Sequence, residues 1–257
     1  MGDHSLSIKK ENNIIIITID DSVDNQDKIA RLAYELTDLY ETISQDRDIR
    51  VMVLTGSDEQ CFAIGIQSQK ELQRNLRASS EPFFAVTQAL ARFDMPIIAA
   101  INGDALGQSL EVSMACDIRI ASDSAKFGLP QVKWGFIPWD GGTQRLSRLV
   151  GQAAAMEMIL TGKIINAREA FRIGLVNRVL ARHDLMPEVI KMAHEMALKG
   201  PIALKYSKEA VNKGMDLTLE QGLRLEADLY YLLHTTEDRT EGITKFLKKE
   251  NPQFKGQ

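Results

Sequence analysis

Two periodicities run along this chain, and each predicts a different kind of element. Short apolar runs at residues 6–9, Ile14–Ile19, 51–55, Ile97–Ile101 and 118–121 predict strands. The first two flank Glu11-Asn12-Asn13, which predicts a hairpin turn. Ile29, Leu32, Ala33, Leu36, Tyr40 and Ile43 recur at helical spacing and predict an amphipathic helix, with Asp24 or Asn25 as its cap. Further helices are predicted at 82–93, from 108 onward around Leu110 and Met114, at 153–160 and at 167–172, followed by a strand at 175–179. From residue 185 the spacing is helical throughout, over 185–199, 202–213, 217–234 and 240–248, punctuated by Pro201 and Gly214. Strands interleaved with helices, then helices alone, predict an α/β core over residues 1–195 and a helical region over 196–257.

Residues 96–150 hold the densest chemistry. The run Ile97–Ile101 stops at Asn102-Gly103, Gly107 follows, and a helical segment opens with Glu111 in its first turn between Leu110 and Val112. Backbone N–H groups at a helix start have no partner inside the helix and can stabilise an oxyanion. A carboxylate desolvated by apolar neighbours has a raised pKa, which suits proton transfer. Equally, Glu is a common first-turn residue with no chemical duty.

The stretch Ala100-Ile101-Asn102-Gly103-Asp104-Ala105-Leu106-Gly107-Gln108-Ser109-Leu110-Glu111, then Cys116-Asp117, is followed by Phe127-Gly128-Leu129-Pro130-Gln131 and by Pro138-Trp139-Asp140-Gly141-Gly142-Thr143-Gln144-Arg145-Leu146. In order and spacing this resembles the signature of the crotonase (enoyl-CoA hydratase/isomerase) superfamily. The resemblance implies a spiral of ββα turns, with the C-terminal helices serving trimerisation. It also implies an acyl-CoA thioester as substrate, with coenzyme A entering only as part of that thioester and no separate cofactor. Glu111 takes the position of one catalytic glutamate. Residues 61–68, with Ala63, Ile64, Gly65 and Ile66, correspond to the stretch that supplies half of the oxyanion hole, here the N–H of Ile66. The other half falls on the N–H of Gln108, next to Gly107. Either N–H survives any substitution except proline. In the last helix Phe246 and Lys249 are the candidates for the nucleotide end of CoA.

Three departures from the family pattern matter. Gln131 stands where a hydratase has its second glutamate, and an amide exchanges no proton at neutral pH. Asp140 stands in a loop where a small residue is usual, either as a substitute acid/base or as a cap for the helix near Gly142. Ile66 and Gln108 are larger than the usual Ala and Gly, and with Trp139 they favour a flat or alicyclic acyl group. Trp134 is expected in the core. The expected reaction is hydration of a 2-enoyl-CoA or conjugated dienoyl-CoA. Isomerisation, C–C hydrolysis or decarboxylation on the same fold, and a silent acyl-CoA-binding subunit, are the alternatives.

Composition narrows the rest. A formal charge of −4, from 31 basic and 35 acidic residues, argues against nucleic acid as a partner. Cys61 and Cys116 are too few for a disulfide framework, which favours a reducing, cytoplasmic setting. The four histidines and two cysteines show no metal-ligand spacing. No apolar run is long enough to span a membrane. A homo-oligomer, a trimer or a dimer of trimers, is expected from the resemblance.

Overall fold

The computed structural model describes residues 5–20, 26–57, 60–64 and 85–257. In chain order the elements are β1 (Leu6–Glu11), β2 (Ile14–Ile19), α1 (Gln26–Ile43), β3 (Val51–Gly56), α2 (Ala85–Ala91), β4 (Ile97–Ile101), β5 (Ala105–Leu106), α3 (Gln108–Met114), β6 (Ile118–Ser122) and β7 (Lys126–Gly128). A 3₁₀ turn (Pro130–Trp134) comes next. Then come α4 (Gly142–Val150), α5 (Gln152–Thr161), β8 (Ile164–Asn166), α6 (Ala167–Arg172), β9 (Arg178–Leu180), α7 (Arg182–Ala197), α8 (Pro201–Gly214), α9 (Leu219–Leu233) and α10 (Glu237–Lys248).

The strands form two sheets. Six lie in the order β1-β2-β3-β4-β6-β9 and three in the order β5-β7-β8. In the larger sheet only the β1–β2 pair is antiparallel. Asn12 makes that turn at φ 52, a left-handed position that Asn tolerates. The exposed side chains of β1, Lys9 and Lys10 among them, mark it as an edge strand.

The apolar runs at 14–17 of β2, 51–54 of β3 and Ile97–Ile101 of β4 follow from burial on both faces, as expected of parallel strands. Alternate residues serve opposite sides of the sheet. Ile15, Ile17, Met52, Leu54, Ile97 and Ala99 join the large core with α1, α2 and α3. Val51, Val53, Ile98, Ala100 and Ile120 pack instead with Leu185, Val189 and Ala193 of α7.

Successive segments repeat one unit. β4 and β6 lie in the large sheet, while the strand after each, β5 and β7, lies in the small one. After β3, Cys61 makes a parallel bridge to Asp104, just ahead of β5, in place of a full strand. Each turn of the chain therefore stacks its second strand, or its bridge, on that of the next. This stacking brings residues 60–64, the start of α3 and the 3₁₀ turn side by side.

Two expectations are corrected. The strand predicted at 175–179 begins only at Arg178, because Leu175 and Val176 turn their N–H groups back onto the Ala170 carbonyl. Trp134 is not core: it is 40% exposed at the end of the 3₁₀ turn. Asp24 and Asn25, named as caps for α1, lie outside the described residues.

The C-terminal helices differ from the core. Beyond residue 197 only Leu229 among the apolar side chains is buried, whereas Val211, Met215, Leu219, Leu223, Tyr231, Phe246 and Leu247 are exposed. The tail folds back on α10, where the buried Asp238 carboxylate accepts the N–H groups of Lys255 (2.7 Å) and Gly256 (2.8 Å).

Candidate active site

Glu111 is wholly buried on α3, a helix whose described neighbours include Leu110 and Val112, both also fully buried. Its Oε1 accepts the backbone N–H groups of Asp140 (2.8 Å) and Gly142 (2.7 Å). Its Oε2 accepts from Gln131 Nε2 at 3.3 Å. Burial pushes this carboxyl up to about 7; the two N–H groups pull the other way and the neighbouring Asp140 adds to the rise. At neutral pH such a group exists in both protonation states, which is what reversible proton transfer requires.

Local sequence explains the geometry. Gly107 precedes α3 at φ 60, a conformation that favours glycine, and its N–H is held by the Gly128 carbonyl at 2.9 Å. Gly142 must be glycine for space: a Cβ there would lie 2.8 Å from Glu111 Oε1 and equally close to Pro138 Cβ. The loop can therefore bring two N–H groups onto the carboxylate only without a side chain at 142.

Asp140 is not the helix cap. The residue before α4 is Gly141, with no side-chain cap bond. The buried Asp140 carboxylate accepts Thr87 Oγ1 at 2.7 Å, the Thr87 N–H at 3.4 Å and Gln108 Nε2 at 3.0 Å. Arg145 Nη1 donates to Thr87 Oγ1 (3.1 Å) and to the Asp140 carbonyl (3.2 Å). Hydrogen bonds thus converge on the Asp140 carboxylate, from Arg145 through Thr87 on one side and from the Gln108 amide on the other, and the Asp140 N–H links this cluster to Glu111.

Two acceptors in this cluster stand out. Gln131 Oε1 and Gln108 Oε1 are buried and have no hydrogen-bond partner among the described residues. Each amide is oriented by a carboxylate on its Nε2, so neither oxygen can be exchanged for the nitrogen by rotating the amide without losing that bond.

The structure thus brings Glu111, Gln131, Asp140, Gln108 and Gly107 together. Ala63 and Ile64 lie beside them but turn their side chains into the core, with Ala63 at φ 65. Ser109 Oγ donates to the Phe62 carbonyl and ties this segment to α3. Gly65 and Ile66 lie outside the described residues. Trp139 is half-buried and edge-on to Phe136, with ring centroids 6.4 Å apart. Phe246 and Lys249 are exposed on α10 and at its end, and no hydrogen bond or ion pair among the described residues joins them to the cluster.

Sequence reading missed the parts played by Thr87 and Arg145. Arg145 stood inside the quoted motif without a role. Thr87 offered no signal, since it stands beside Gln88 on a short helix. Among the described residues no group of His, Cys, Asp and Glu could hold a metal, and no helix is long and apolar enough to cross a membrane.

A family profile described as enoyl-CoA hydratase/isomerase matches residues 9–257. The crotonyl-CoA hydratase of Syntrophomonas wolfei is 41% identical over 225 residues, covering 86% of each chain. The 2,3-dehydroadipyl-CoA hydratase of Escherichia coli is 35% identical and covers 98% of each. The crystal structure of an enoyl-CoA hydratase from Bacillus anthracis superposes with a TM-score of 0.86 at 35% identity, over 99% of this chain and 100% of that one.

Proposed function

The chain belongs to the enoyl-CoA hydratase/isomerase family, and from that premise we propose that it hydrates a 2-enoyl-CoA at the buried Glu111. The single observation that carries this reading is Glu111 itself: a carboxyl with its pKa near 7, held by two backbone N–H groups, beside an amide oxygen in need of a donor.

In this reading the thioester oxygen sits on the N–H groups of Gln108 and Ile66. One water donates to Glu111 and to Gln131 Oε1, and so faces the substrate's C3. Glu111 takes a proton as the water oxygen bonds to C3. The C2=C3 π pair moves toward the thioester oxygen and gives an enolate. The enolate then collapses, and C2 takes the same proton back from Glu111. One carboxylate therefore serves as base and then as acid, and Gln131 contributes orientation only. Asp140, engaged by Thr87 and Gln108, is a positioning group whose own N–H holds Glu111.

The acyl-CoA is the only small-molecule partner the proposal needs, with Phe246 and Lys249 offered to its nucleotide end. Ala63, Ile64 and Gly65 would present backbone to the thioester, and Trp139 a wall to the acyl group. The helical region from residue 196 is proposed as the surface on which copies of the chain assemble into trimers or dimers of trimers. Its exposed apolar side chains support that role.

The test is steady-state turnover of crotonyl-CoA with product mass. Gain of one water identifies hydration; conversion without a mass change identifies isomerisation. Glu111→Gln should lower kcat by about 10² to 10⁴. Turnover by the variant at the wild-type rate would refute the assignment.

A further inference from the structure

Gln131 Oε1 has a task in the proposed hydration, but Gln108 Oε1 has none. A buried amide oxygen without a donor costs on the order of 1–3 kcal/mol, so a protein rarely keeps one without use. Gln108 could relieve it by turning its amide over, but the Asp140 carboxylate accepts from Nε2 at 3.0 Å and holds the oxygen away from itself. Asp140 is in turn fixed by Thr87 at 2.7 Å, and Thr87 by Arg145 at 3.1 Å. Three residues therefore hold one acceptor in one orientation.

The same residue supplies an N–H to the thioester oxygen in the reading above, on which this inference rests. Its side chain leaves the backbone next to that N–H, and its amide lies against Asp140, whose own N–H holds Glu111. We propose that Gln108 Oε1 is a specificity element that accepts a hydrogen bond from the acyl chain, so that the preferred substrate is an enoyl-CoA bearing a donor, in the simplest case a hydroxyl beyond C3. Asp140 acts through Gln108 as its positioning residue. A purely hydrocarbon acyl chain leaves the oxygen unpartnered and binds less well, because a site built for a donor discriminates against the analogue that lacks it.

The experiment compares crotonyl-CoA with (E)-4-hydroxybut-2-enoyl-CoA. Dissociation constants are measured on Glu111→Gln by rapid mixing, before its slowed turnover consumes either thioester. The hydroxylated thioester should bind about tenfold more tightly, the effect of a single hydrogen bond to an otherwise orphaned acceptor. Adding Gln108→Met, similar in length but with no carbonyl, should erase the difference. Adding Asp140→Asn, which can donate to the amide oxygen, should narrow it. Equal binding in Glu111→Gln, or a preference that survives Gln108→Met, overturns the proposal. If the double variants do not fold, the wild-type kcat/KM ratio for the two thioesters decides alone, with equal values counting against it. Should the wild type turn over neither thioester while the binding preference stands, the hydration reading falls and the role of Gln108 survives. If neither thioester binds, both fall.

Discussion

At the scale of single residues, one burial decides the chemistry. A glutamate in water ionises near pH 4.3, whereas Glu111 loses its proton only near 7 because desolvation outweighs two N–H bonds. The same shift has a consequence for stability. Between the unfolded and folded pKa values the native chain holds a proton that the unfolded chain releases, so stability falls as pH rises through that window. Above pH 7 the buried charge costs on the order of 3 kcal/mol. Glu111→Gln removes the charge while keeping an acceptor for the Asp140 and Gly142 N–H groups. It should therefore raise the melting temperature at pH 8.5 and raise it much less at pH 5. Thermal melts at the two pH values check this; an equal change at both would show that Glu111 carries no folded-state shift. The place of Glu111 between Leu110 and Val112 left a plain first-turn role open, and only the resemblance of the surrounding motif singled it out in the sequence. Gln131 and Asp140 were named through the same resemblance, but their bonds to Glu111 and the part of Gly142 were not legible, because these residues approach through space from a loop and a turn 20 to 31 residues away.

At the scale of elements, strands buried on both faces could be read directly, since β2, β3 and β4 each open with a run of apolar residues. The short strands β5, β7 and β8 could not. Two or three residues carry no period, and they pair only because the stacked turns align them. The predicted α3 segment and the loop before α4 matter most to function, and their contact depends on Gly142. Gly142→Ala would drive a methyl into Glu111 Oε1 and Pro138, which must separate the loop from the carboxylate. The expected outcome is a loss of kcat of about 10²-fold, with folding largely retained, since misplacement by an ångström costs that much. Turnover within a few-fold of wild type, with an unchanged circular dichroism spectrum, would show that the loop does not hold the carboxylate in its working position.

At the scale of the whole molecule, the core is self-sufficient and the C-terminal helices are not. Helix α8 buries no residue, and Leu219, Phe246 and Leu247 are 75–82% exposed on α9 and α10. Exposed apolar side chains of this size support the assembly proposed above. Sedimentation equilibrium should give a mass of three or six chains, and Leu219→Glu with Leu223→Glu should shift it toward one. A monomeric wild type would leave those side chains without a partner and remove the assembly proposal. The sequence showed where the helices lie but not that they lack a core, because helical spacing looks the same whether the apolar face meets its own chain or a neighbour.

The central claim is that one carboxylate, Glu111, moves the proton while Gln131 only orients. The pH dependence of kcat/KM for crotonyl-CoA hydration tests it most directly. A single rise through an apparent pKa of about 7 is expected as Glu111 ionises, then a plateau, since no second carboxyl must stay protonated. A bell-shaped profile with a falling limb in the neutral range would mean that a second acid takes part, and would contradict it.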